Sequence, residues 1–164
     1  MRVLELEING VVRSVEAEAA SPLLSVLRQA CGLKGPRFGC GAGSCGACNV
    51  LIDGRPAHAC DTPVWAVEGK RITTVEGLGA PERPHALQQA FIDLQAMQCG
   101  YCVSGVMVSA AALLEANPDP SETEVRKALD GNLCRCGAHN RMVAAVLEAA
   151  ALCREQGDTL NAGA

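Results

Sequence analysis

Apolar and polar residues alternate from the start of this chain. The stretch "VLELEINGVVRSVEAE", residues 3–18, keeps a two-residue period on both sides of Asn9-Gly10. That dipeptide between alternating runs is the strongest short hairpin signal. Ser21-Pro22 then supplies an N-cap residue followed by proline at the first helical position. The pair predicts a helix through Leu23, Leu24 and Leu27 to about Cys31, with Gly32 as its stop. "NVLIDGRPAHAC" predicts a second hairpin around Asp53-Gly54, and "KRITTVEGL" a last strand. A hairpin, one helix and further strands predict a small β-grasp type domain.

The period changes in the second half. From about Pro84 the apolar spacing predicts four helices, near 84–97, 102–116, 122–130 and 138–154. Asn117-Pro118-Asp119-Pro120 separates the second helix from the third, and Ser121 with Glu124 has capping-box spacing. Leu94 to Leu114 carries no charged residue and is long enough to span a bilayer. Its strong apolar residues, Val103, Val106, Met107, Ala110, Leu113 and Leu114, nevertheless fall on one side of a helix. A buried helix, with no membrane insertion, is the expectation. The fold class predicted is α+β: residues 1–76 form the β-grasp domain, 77–84 ("GLGAPERP") a linker, 85–156 a helical domain and 157–164 a flexible tail.

Composition narrows the function. The 164 residues are 49% hydrophobic but only 2% aromatic, and the net charge is −4. Neither value suits a nucleic-acid stacking surface. Ten cysteines are many. The N-terminus "MRVLELEING" has no apolar core of a signal peptide, which predicts folding in the reducing cytoplasm. Export in company with a partner subunit stays open. In a reducing compartment, clustered cysteines point to metal rather than disulfides.

Three of the cysteines lie in one ten-residue loop, "GCGAGSCGAC", together with four glycines. Cys40, Cys45 and Cys48 have the spacing C-x4-C-x2-C, and Cys60 follows on the next hairpin. This is the spacing of plant-type [2Fe–2S] proteins. A cluster held by four thiolates is anionic, so a loop around it must aim backbone N–H groups at sulfur. The unusual backbone angles this needs are expected from Gly39, Gly41, Gly43 and Gly46. Structural zinc usually takes two separate knuckles instead.

A second set comprises Cys99 and Cys102 in "QCGYC", at a helix start, and Cys134 and Cys136 in "GNLCRCG". Helix N-termini favour thiolate charge. Spacing alone leaves zinc and iron–sulfur both open here. A zinc-stabilised interaction module and a free-standing ferredoxin are therefore rival readings of the chain.

"FGCGAGSCGACNV", "QCGYCVSG" and "GNLCRCG", in this order, closely resemble the small iron–sulfur subunit of the molybdenum hydroxylases, the xanthine oxidase family. The resemblance spans roughly residues 3 to 153. It implies a ferredoxin-like domain followed by a four-helix domain, each with its own [2Fe–2S] cluster. It places the inner cluster, on Cys99, Cys102, Cys134 and Cys136, beside a molybdopterin held by a separate large subunit. The outer cluster, on Cys40, Cys45, Cys48 and Cys60, then passes electrons to an acceptor such as cytochrome c or a flavin subunit. Gln98 resembles the residue that contacts the pterin, and Cys136 the ligand closest to it. Where many relatives continue "CRCTGY", this chain has "CRCGAH" with His139. That departure resembles the subgroup that oxidises N-heteroaromatics such as nicotinate or isoquinoline, or aldehydes.

No nucleophile–base pair, phosphate loop or carboxylate pair accompanies the cysteines, so substrate chemistry is expected on another chain. Cys31 and Cys153 follow apolar helix faces and are expected in the core. His58, His85 and His139 are isolated and expected at surfaces or interfaces, with His139 near enough to Cys136 to tune its site. Trp65 and Tyr101 are expected to pack rather than to relay electrons.

Overall fold

In the computed structural model, residues 1–156 are described. The first half is a five-stranded sheet. Strands β1 (Arg2–Ile8) and β2 (Val11–Ala17) form the predicted hairpin, with β3 (Asn49–Ile52), β4 (Arg55–His58) and β5 (Arg71–Thr73) completing the order β2-β1-β5-β3-β4. β5 runs parallel to β1, and the other pairings are antiparallel. Asn9 and Gly10 have φ of 52° and 74°, and Asp53 and Gly54 have 49° and 77°. Both turns thus place two central residues in the left-handed region, as two-residue hairpin loops require. Leu4, Leu6 and Ile8 point into a core shared with Leu23, Leu27, Val50 and Ile72.

Two local expectations change. α1 (Leu23–Ser25) lasts one turn and continues as a π-helical turn, Val26–Ala30. Ser21 is not its cap: Pro22 stands there, and among the described residues no side chain caps the helix. Its first amides bond outward instead, Leu23 N–H to Thr62 O at 2.8 Å and Leu24 N–H to Ala59 O at 2.8 Å. The last strand is also shorter than predicted. Thr74 turns out of the sheet, its N–H donated to Asn9 Oδ1 at 2.9 Å, and Val75–Gly77 follows as a 3-10 turn.

The second half is helical: α2 (Ala86–Asp93), α3 (Val103–Ala116), α4 (Glu122–Leu129) and α5 (His139–Gln156). The predicted capping box on α4 is present, with the Glu124 N–H on Ser121 Oγ and the Ser121 N–H on Glu124 Oε2. α2 has one too, built by His85 and Gln88. Histidine is a rare cap, so nothing in the sequence signalled it. α2 ends earlier than expected because Gln95 turns left-handed, with φ 47°. Leu87, Phe91, Val106, Val125, Met142 and Val146 form the second core.

The one-sided face predicted for α3 is corrected. Every residue from Val103 to Ala111 is buried. One side of α3 faces the helical core, and the other, with Ser104, Gly105 and Ser109, lies against β3 and the loop before it. A seam between two domains buries it, not lipid: among the described residues no helix is long and apolar enough to cross a membrane. The predicted tail, 157–164, lies outside the described residues.

Candidate metal centres

The first cysteine loop runs from Gly39 to Cys48 and leads directly into β3; Cys60 follows β4. Three of its glycines adopt positive φ: Gly41 at 69°, Gly43 at 62° and Gly46 at 72°. Gly39 does not, which corrects its expected role. It is needed for room, because a β-carbon there would lie 2.6 Å from Cys45 Sγ. The backbone so shaped turns its N–H groups inward. Ala42 and Ser44 donate to Cys40 Sγ at 3.4 and 3.3 Å, Cys40 to Cys45 Sγ at 3.4 Å, and Cys60 to Cys48 Sγ at 3.4 Å. The Ala42 N–H, followed by those of Ser44 and Cys45, lowers the Cys40 thiol to about 6. Burial instead pushes Cys48 up to about 12.

The second set is assembled from distant segments. Cys102 stands at the N-terminus of α3, while Cys134 and Cys136 lie in the turn between α4 and α5. The N–H of Tyr101 lowers the exposed Cys99. At Cys134, burial raises the thiol, but the N–H groups of Ala138, Cys136 and Gly137, with the Cys102 thiol, leave it lowered. Cys102 corrects an expectation: the helix N-terminus does not make it acidic, because burial drives it to about 12.

Within each set the thiols neighbour one another. Cys40 interacts with Cys45, and Cys48 with Cys60. Cys99 interacts with Cys136, and Cys102 with Cys134. Cys45 also acts on Cys48, Cys134 on Cys99 and Cys99 on Cys102. Neighbouring thiols suit a metal centre, and N–H groups aimed at sulfur suit an anionic one such as an iron–sulfur cluster.

The two sets face each other. A cleft of about 320 Å³ has Cys40 and Cys45 on one wall and Cys99 and Cys102 on the other, with Tyr101 and Leu133 also lining it. Two contacts join its walls. The Tyr101 hydroxyl donates to Phe38 O at 2.5 Å, beneath the Arg37 guanidinium, 5.2 Å from the ring centre. Leu133 N–H donates to Cys45 O at 2.9 Å. Tyr101 is thus a strut between domains rather than a packing residue of one, and Trp65 is 56% exposed rather than packed. Gln98 is exposed and donates to Cys136 O at 3.4 Å, which brings together the two residues singled out by resemblance.

The other candidates fall outside both sets. Cys153 is buried in α5, and Cys31 is half-buried at the end of the π-helical turn. His58 ends β4, and His85 caps α2. His139 opens α5, and its Nε2 bonds Asn132 O at 2.9 Å. Asn132, which sequence reading passed over, is 3% exposed and contacts the first loop. Its only signal was its position just before Cys134.

Comparison with known proteins agrees with this arrangement. Residues 6–78 match the family of 2Fe-2S iron-sulfur cluster binding domains, and residues 74–147 the family of [2Fe-2S] binding domains. The chain is 49% identical to a nicotinate dehydrogenase subunit of Pseudomonas putida over 147 residues, 90% of this chain and 94% of that protein. It is 47% identical to the alpha subunit of isoquinoline 1-oxidoreductase from Brevundimonas diminuta over 149 residues, 90% of this chain and 97% of that one. The crystal structure of the aldehyde oxidoreductase from Desulfovibrio desulfuricans matches with a TM-score of 0.91 and 39% identity, over 100% of this chain but 18% of that longer one. Two [2Fe–2S]-binding domains in succession give the protein two [2Fe–2S] clusters. The chain belongs to the small iron–sulfur subunits of the molybdenum hydroxylases.

Proposed function

We infer that Cys40, Cys45, Cys48 and Cys60 hold the outer cluster and Cys99, Cys102, Cys134 and Cys136 the inner one. The observation that carries this is that the thiols of each set lie beside one another, with backbone N–H groups aimed at their sulfurs. When bound, the clusters supply one-electron carriers; the chain's residues supply ligands, hydrogen bonds and burial, which set the potentials. Two separate cores support a division into 1–76 and 85–156, with residues 77–84 as a linker whose Leu78 is buried against the helical core.

The partner is a large molybdopterin-binding subunit, and this chain relays the electrons of its reaction to an acceptor, a cytochrome c or a flavin subunit. In the aldehyde oxidoreductase the corresponding unit is part of one longer chain, which supports tight association. The inner set is where that partner docks. Gln98, Cys99 and Arg135 are exposed there, and so are the large apolar residues Phe38, Tyr101 and Leu133, the last at 66%. An apolar patch ringed by polar groups marks an interaction site. Gln98, tied to Cys136, faces the pterin in this reading. The relatives named for nicotinate and isoquinoline point to an N-heteroaromatic substrate rather than an aldehyde. The cytoplasm is the compartment in which these thiols stay reduced until they are loaded.

Purification of the natural complex tests the assignment. Each copy of this chain should bring about four irons and four acid-labile sulfides, two of each per cluster. A larger chain containing molybdopterin should accompany it. About two irons, stoichiometric zinc, or a preparation without a larger chain would overturn the reading.

A further inference from the structure

The carbonyl of Gly46, between Cys45 and Ala47, is held from three directions. It accepts the N–H of Asn49 within its own domain at 3.1 Å. It accepts Nδ2 of Asn132, from the helical domain, at 3.4 Å. It also presses so closely on α3 that a β-carbon added at Gly105 would overlap it. Asn132 is itself fixed: its N–H is donated to Leu129 O at 2.9 Å, and its own carbonyl bonds the His139 ring at 2.9 Å. The next residue, Leu133, donates its N–H to Cys45 O. The segment just before Cys134 is therefore clamped to the segment that contains Cys45.

The chemistry of this side chain says what it is for. Asn132 is buried, yet among the described residues its Oδ1 has no hydrogen-bond partner. A half-satisfied buried amide is a poor source of stability, and an apolar residue of similar shape would serve as well or better. What the amide adds is direction: an N–H aimed across the seam at one carbonyl.

Resting on the cluster assignment above, we propose that Asn132 is a positioning residue that fixes the separation and orientation of the two cysteine sets. It does so through the Gly46 carbonyl, with Gly105 as the surface against which that carbonyl is pressed. The residue touches neither set of thiols in this role. It acts by holding the Cys45 loop against the Cys134 turn.

The test uses the natural complex, fully reduced with dithionite, and reads the magnetic splitting between the two paramagnetic clusters by EPR. Dipolar coupling falls with the cube of separation, so it reports position rather than stability. Asn132→Asp keeps the size but removes the donor; Gly105→Ala leaves Asn132 in place but wedges the seam open. Both should retain native iron and sulfide and lose or visibly reduce the splitting. Ser109→Ala, which removes the Asn49 contact across the same seam (2.9 Å), should leave the splitting native. An unchanged splitting in either of the first two variants would overturn the proposal, as would a native complex with no splitting. Loss of the inner irons in Asn132→Asp would also overturn it, because the residue would then act within its own turn. A native complex short of about four irons would be a failure of the cluster assignment itself.

Discussion

The two cysteine sets solve one problem by different means. The first gathers three thiols in a single loop whose shape is local: positive-φ glycines turn the N–H groups of Ala42 and Ser44 toward Cys40. The second has no such loop. Cys99 and Cys102 come before one helix and Cys134 and Cys136 before another, and packing of α2, α3 and α5 brings them together. Yet both end with neighbouring thiols, an exposed one made more acidic by backbone N–H groups and a buried one raised to about 12. A loop site depends on backbone conformation, whereas a packed site depends on the core behind it. The two sets should therefore fail for different reasons.

The hardest test removes one ligand from each. Serine oxygen is a harder and poorer iron ligand than thiolate. Cys45→Ser should lose or perturb the outer cluster and Cys102→Ser the inner one, each losing up to about half of the bound iron. Iron assay and the two EPR signals check this. Loss of both signals from one folded variant would mean that the seam at Gly46, not the separate cores, holds the sites together.

A second pair of substitutions leaves every ligand in place. Gly39→Ala brings a β-carbon to 2.6 Å from Cys45 Sγ, so the outer cluster should be lost or its signal altered while the helical half stays folded. Phe91→Ala empties a fully buried site in the second core, which costs about 3–5 kcal/mol for this kind of truncation. Here the inner cluster should loosen and the outer one persist. Thermal unfolding followed by helical circular dichroism and by each cluster's absorption separates the outcomes. Equal loss of both clusters in Phe91→Ala would remove the distinction between loop-built and core-built sites.

The same difference explains what could be read from the sequence. The C-x4-C-x2-C spacing and the glycines singled out the first set as a candidate without any tertiary information, and Asn9-Gly10 and Asp53-Gly54 marked both hairpins. Ser21-Pro22 misled, because the first amides of α1 bond to Ala59 and Thr62 across the fold. The second set stayed ambiguous on spacing alone, since nothing local says how a turn after α4 meets the start of α3. Resemblance resolved it. The buried face of α3 carrying Ser104, Gly105 and Ser109 was invisible for a related reason: small and weakly polar residues carry no helical stripe, and only docking of the first domain buries them. His85 as a cap and Asn132 as a clamp belong to the same class of tertiary facts.

The smallest effect is expected at the α4 cap, and it sharpens the comparison by separating helical stability from the inner site. Ser121 Oγ accepts the N–H of Glu124 at the end of α4 opposite the Cys134 turn. Ser121→Ala should destabilise the helical half by about 1 kcal/mol, a common value for a lost serine cap. The inner cluster should keep its native EPR signal, because α4 is weakened at the end away from the Cys134 turn. The effect should also depend on pH. Hydrogen bonds from the Ser121 hydroxyl and N–H hold the Glu124 carboxyl below its ordinary value. A folded pKa lowered in this way stabilises above the unfolded value and stops doing so as pH falls through the folded one. The gap in stability between native protein and Ser121→Ala should therefore be constant near neutrality and narrow as pH drops below the ordinary carboxylate range. Denaturant unfolding at several pH values measures that gap. A gap that widens in acid would mean that the cap does not favour the ionised carboxylate, and a lost inner signal would mean that the second set depends on every helix around it rather than on its core alone.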